Sequence, residues 1–162
     1  MLSWVSTLVR LALAAVFIIA GGLKVADPQA SVQGVHAYQI VPSALEAAVG
    51  WGLPFAEIAL GLLLVSGLFT RGLAIVAAVV LVSFMAAVVS AWARGLSIDC
   101  GCFGGGGRVA PGQAHYVEEL VRDTWFCLLA VWLVICPRSR LSLDRTWSAD
   151  VDEPAGTLRG GR

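Results

Sequence analysis

Two cysteines separated by one glycine, Cys100-Gly101-Cys102, stand within Ser97-Ile98-Asp99-Cys100-Gly101-Cys102-Phe103-Gly104, between two long apolar segments. Thiols at this spacing can bridge only if the backbone bends to bring their Cα atoms under ~7 Å, and the small ring so formed is strained. Gly101 is the residue type that permits the bend. Strain raises the reduction potential, so such a disulfide is labile and can oxidise a partner's dithiol, whereas structural bridges lie below about −300 mV. The spacing therefore favours thiol exchange, with a structural disulfide as the rival reading. A zinc site would need two further ligands from His36, His115 and acidic neighbours such as Asp99 or Glu118, with no second cysteine pair, and no metal is expected. Cys127 and Cys136 belong to the last apolar segment, where a thiol is ordinarily packing.

Which sulfur attacks depends on charge. Asp99 beside Cys100 disfavours a thiolate, and Lys24, Arg94 or Arg108 nearby would favour one, so the sequence leaves the attacking thiol open.

The elements that must position this pair are membrane helices. The 162 residues are 58% hydrophobic and 14% charged, and the mean hydropathy is +0.82, too apolar for a water-soluble domain of this size. A bilayer core about 30 Å thick takes roughly 20 apolar residues per helix. Four stretches qualify, at about 4–25, 44–67, 72–93 and 116–136, in one domain over residues 1–137. The first could alternatively be a secretory signal peptide. The expected fold is all-α, an integral membrane four-helix bundle. Net charge is zero, which gives no reason to expect nucleic acid. Arg10, Arg71 and the arginines after the last span fall on one side, so both termini are expected in the cytoplasm of a bacterial inner membrane. The loops at 26–43 and 94–115 then face outward, where disulfides persist. Residues 138–162 read as a solvated, disordered cytoplasmic tail.

Asp27 as N-cap and Pro28 at the first helical position predict a short interfacial helix in the first outer loop. Gly104-Gly105-Gly106-Gly107 reads as a hinge after the thiols. Small or polar stripes mark inward faces: Arg10-Ala14-Phe17-Gly21-Lys24, Gly50-Pro54-Glu57-Gly61, Ser83-Ala87-Ser90-Arg94 and Glu119-Asp123-Phe126-Ala130. Glu57 needs a partner, because a mid-bilayer carboxylate costs roughly 2.5 kcal/mol or more; Lys24, Arg122 and Arg10 are the candidates, for a fixed ion pair or for proton handling. Pro54 should kink its helix and open a polar pocket there. Glu118, Glu119, Arg122 and Asp123 read as a solvated helix end, unless Arg122 turns inward to the loop or to Glu57. Trp51, Trp92 and Trp125 suit interfacial belts; Trp51 and Trp92, like His36 and Tyr38 of the outer loop, are also weak candidates for contact with a cofactor ring.

Ala20-Gly21-Gly22-Leu23-Lys24, Tyr38 through Pro42, Leu53-Pro54-Phe55-Ala56-Glu57, the string from Asp99 to Gly104, and Arg122-Asp123 together resemble the MauE branch of the DoxX-like membrane proteins, over about residues 8–136. The resemblance implies a four-helix membrane bundle tied to extracytoplasmic disulfide chemistry beside a thioredoxin-like partner, in MauE's case during methylamine dehydrogenase maturation. DoxX relatives are associated with quinone-linked thiosulfate oxidation. The expectation is a membrane thiol:disulfide redox protein. Cys100 and Cys102 would exchange with an extracytoplasmic thioredoxin-fold protein and pass electrons to a membrane quinone, with Lys24, Glu57, Asp99, Arg122 and Asp123 supporting them or handling protons. The alternative is a non-catalytic membrane subunit or scaffold of a larger complex, with Cys100–Cys102 as a static bridge.

Overall fold

The structure, a computed structural model, describes residues 2–137, so the expected tail lies outside the described residues. Five helices follow one another: α1 (Leu2–Ala26), α2 (Pro28–Tyr38), α3 (Ser43–Ser66), α4 (Thr70–Ala93) and α5 (Tyr116–Ile135). Two short strands, β1 (Ile98–Asp99) and β2 (Gly107–Arg108), pair antiparallel between α4 and α5. Among the described residues, three helices are long and apolar enough to cross a membrane: Ser3–Ala26, Ser43–Ser66 and Thr70–Ala93. The segment counted as a fourth span is helical as expected, but its first two turns carry Glu118, Glu119, Arg122 and Asp123 and it falls outside that set.

Why the chain packs as it does is visible at the glycines. A Cβ on Gly21 would stand 2.6 Å from the Pro54 carbonyl oxygen, and one on Gly61 would stand 2.9 Å from the Ala14 carbonyl oxygen. Hence α1 and α3 approach backbone to backbone, with Leu13, Phe17, Leu60 and Leu64 filling the core beside them. The other close pair is α4 with α5, and α1 links the two pairs through α5, whereas α3 and α4 make little contact.

The inward stripes are as expected on α1, α3 and α5; on α4 the expectation fails. Ser83 and Arg94 are exposed, and the buried face carries Thr70, Ala74, Ala77, Leu81, Val88 and Ala91. Ser83 returns its hydroxyl to the Val79 carbonyl 2.8 Å away, so it needs no neighbouring helix.

The short interfacial helix is α2, capped as its sequence predicts: the Asp27 side chain accepts the Ala30 N–H at 3.0 Å, and Pro28 opens the helix. It lies on α3, with Val32 seated over Gly50. Pro54 has no N–H to give the Gly50 carbonyl, and the Ser31 hydroxyl of α2 donates to that oxygen instead, at 2.8 Å. The proline thus supplies the acceptor that docks α2, within a helix that continues from Ser43 to Ser66.

Candidate functional site

The pairing of β1 with β2, in the register Ile98 to Arg108 and Asp99 to Gly107, closes residues 100–106 into a loop. The glycine run read as a hinge has a geometric use here. Gly104, Gly105, Gly106 and Gly107 all take positive φ, as does Gly101 at +66°. A Cβ on Gly106 would stand 3.2 Å from the Cα atoms of both Gly101 and Gly34, so the loop folds back on itself and lies against α2. Tyr38, at the end of α2, donates its hydroxyl to the Cys100 carbonyl at 3.2 Å, and the Arg94 guanidinium bonds the Tyr38 carbonyl at 2.5 Å. Ile98 is buried, and its N–H reaches the Tyr116 hydroxyl at 3.1 Å.

Cys100 and Cys102 are free thiols, each partly buried. Two donors point at the Cys100 sulfur: the Cys102 N–H at 3.2 Å and Arg122 Nη2 at 3.9 Å. The Cys102 sulfur faces Asp123 Oδ2 at 4.0 Å. Asp123 is buried, and its other oxygen accepts Arg122 Nε–H at 3.1 Å. Arg122 also lies over the Phe103 ring, 4.7 Å from its centroid. A cation therefore attends one sulfur and an anion the other. The hydrogen bond with Cys100, burial, and the charges of Cys100 and Asp123 push the Cys102 thiol far above the ordinary thiol range. Burial, then the neighbouring thiols and Glu119, push the Tyr38 phenol up as well.

Lys24 and Glu57 form the ion pair, 2.5 Å apart and nearly inaccessible. Of the candidate partners for Glu57, Lys24 is the one the structure brings to it; Arg122 is turned to Asp123 and the thiols. Lys24 also lies 5.2 Å from the Phe84 ring centroid. Above it opens a cavity of about 190 Å³. Its walls are largely apolar, with Val35 and Tyr38 from α2, Val49 and Leu53 from α3, and Phe84 and Ala87 from α4, and both thiols border it. It lies where α3 and α4 part.

Of the weak ring-contact candidates, Tyr38 lines this cavity. His36 is turned outward to Glu46 at 2.9 Å, Trp51 is exposed on α3, and Trp92 stacks on Tyr116 at 6.0 Å. Asp99 folds back on the loop, accepting the Gly101 N–H at 3.0 Å. Glu119, read from sequence as part of a solvated helix end, is instead buried, and its Oε1 accepts the Cys100 N–H at 3.4 Å. Its place on the stripe with Asp123, Phe126 and Ala130 was the available signal. Glu118, one residue away, is exposed.

No curated protein and no solved structure matches this chain. The family model of the methylamine utilisation protein MauE matches residues 2–136. With its apolar helices and that match over most of its length, the chain is a membrane protein that belongs to the MauE family.

Proposed function

We propose that this protein is a membrane thiol:disulfide redox protein that exchanges disulfides through the Cys100-Gly101-Cys102 loop with an extracytoplasmic thioredoxin-fold partner, and that its electrons pass to a membrane quinone. The observation that carries the reading is the unequal treatment of the two sulfurs: Cys100 receives the Cys102 N–H and faces the Arg122 guanidinium, while Cys102 faces Asp123. Hydrogen-bond donors and a cation favour a thiolate, and the thiolate is the nucleophile of exchange. Cys100 is therefore the attacking sulfur. Cys102, kept protonated by its surroundings, resolves the mixed disulfide.

The cavity suits the flat, apolar-tailed head group of a quinone: it is about 190 Å³, mainly apolar, bordered by both thiols and by the Lys24 ammonium, and set at the parting of α3 and α4 where a lipid-borne molecule could enter. A quinone supplies, when bound, an acceptor for two electrons and two protons. Lys24 and Tyr38 would hold its polar edge, and Leu53 and Phe84 its ring. In this reading α5 is the fourth span. Both termini lie in the cytoplasm of a bacterial inner membrane and the thiol loop faces outward, as the placement of Arg10 and Arg71 against Arg94 and Arg108 favours. The family's description, methylamine utilisation, fits a redox-associated membrane role of this kind.

Trapping tests it. Cys102→Ser should accumulate a mixed disulfide between Cys100 and a thioredoxin-fold protein under non-reducing conditions, and Cys100→Ser should not. Capture that is indifferent to both substitutions, or a loop labelled by a membrane-impermeant maleimide only from the cytoplasmic side, refutes the proposal.

A further inference from the structure

The thiol pair sits in an excess of acidic groups. Asp99, Glu119 and Asp123 surround it, against Arg122, which bonds Asp123, and Lys24, which bonds Glu57. Glu119 is the anomaly among them. It is 9% exposed, its Oε1 has the Cys100 N–H as partner, and its Oε2 is buried with no partner among the described residues. A carboxylate oxygen, the Cys100 sulfur and an Asp99 oxygen lie within 4.8 Å of one another. A buried oxygen without a donor is costly as a carboxylate and far less so once it carries a hydrogen.

We propose that Glu119 is the proton acceptor of the pair, taking the Cys100 thiol proton when the disulfide forms and returning it on reduction. The assignment rests on the exchange reading above. The Cys100 S–H proton moves to the Glu119 carboxylate, and the thiolate attacks one sulfur of the partner's disulfide. That S–S bond breaks, a mixed disulfide forms, and the departing partner thiolate takes a proton from solvent. Cys102 then attacks Cys100, its own proton going to the partner's second sulfur. Two electrons leave this chain, the partner gains two thiols, and Glu119 ends protonated, so one proton is drawn from solvent overall. In the reduced form the Cys100 N–H bonds Oε1 and leaves Oε2 as the free acceptor for the proton. A disulfide offers no S–H, so the proton stays. The groups facing Glu119 are Asp99 of β1, Cys100 of the loop, Tyr38 of α2 and Arg122 of its own helix.

The test is the equilibrium of the full chain, in lipid nanodiscs, with reduced and oxidised glutathione between pH 6 and pH 8. Net uptake of one proton makes the oxidised fraction, expressed as an exchange constant, rise about tenfold per unit fall in pH. In Glu119→Gln the constant should be independent of pH. The wild-type protein gives a second measurement free of any folding defect: its infrared difference spectrum, oxidised minus reduced, should gain a protonated-carboxyl band. Equal pH slopes in the two proteins, or no such band, overturn the assignment. So does zinc ion at micromolar concentration shielding Cys100 from alkylation in the wild type and not in Glu119→Gln while both constants stay flat, because the free oxygen is then a cation ligand. A pair that equilibrates with glutathione yet captures no thioredoxin-fold protein overturns the partner reading and leaves the proton assignment standing. A pair that never equilibrates overturns both.

Discussion

Arg122 directs its Nη2 at the Cys100 sulfur from 3.9 Å. It reaches that position from the second turn of α5, held by Asp123 through its Nε and by the face of Phe103. One guanidinium thereby ties the loop to the helix and sets a positive charge beside one of two otherwise similar thiols.

Removing that cation should slow Cys100. In a Cys102→Ser background, Arg122→Gln is expected to lower the rate of Cys100 alkylation at neutral pH severalfold, because the attacking sulfur loses its neighbouring positive charge. Arg122→Lys should recover part of the rate. Identical rates for all three would show that the guanidinium does not govern the thiol.

Alkaline pH should weaken the fold at this loop. Cys102 and Tyr38 both titrate higher in the folded protein than in the unfolded chain, Cys102 through its bond with Cys100 and through burial, Tyr38 chiefly through burial. Their contribution is therefore complete below the unfolded values of about 8.5 and about 10, and is lost as pH rises beyond them, because the unfolded chain releases those protons first. Thermal unfolding in detergent should show Tm falling above about pH 9, and less steeply in Tyr38→Phe. A Tm constant to pH 11 would contradict this.

The Lys24–Glu57 pair is sealed between α1 and α3, so breaking it from either side leaves an uncompensated charge. Lys24→Met and Glu57→Leu are each expected to cost about 3–5 kcal/mol, and the double substitution much less than their sum. Denaturant unfolding of the four proteins of this cycle measures the coupling; additive costs would mean that the two groups do not depend on each other.

The bond from Ser31 to the Gly50 carbonyl exists because Pro54 leaves that oxygen without a donor. Ser31→Ala should cost about 1 kcal/mol in the native background and little once Pro54→Ala restores the helical N–H. The same double-mutant scheme reads it out, and an unchanged cost in the Pro54→Ala background would break the link.

Some of this was legible in the chain itself. Long apolar runs dictate membrane-length helices because backbone polar groups must be satisfied within each segment, and Asp27-Pro28 encodes the start of α2 through capping chemistry that acts within one turn. Cys100-Gly101-Cys102 put two thiols within reach of each other by spacing alone, and Glu57 declared its need for a counter-charge. These are local properties, or properties of one residue against its solvent. The tertiary structure decided which cation answers Glu57, that Ser31 answers Pro54, that the glycine run folds the thiol loop onto α2, and that Glu119 is buried while Glu118 is exposed. It decided too that Arg122 and Asp123, neighbours in sequence, are divided between two sulfurs. Each depends on where separate helices come to rest against one another, which the local pattern of one segment, even a stripe such as that of Glu119, does not by itself fix.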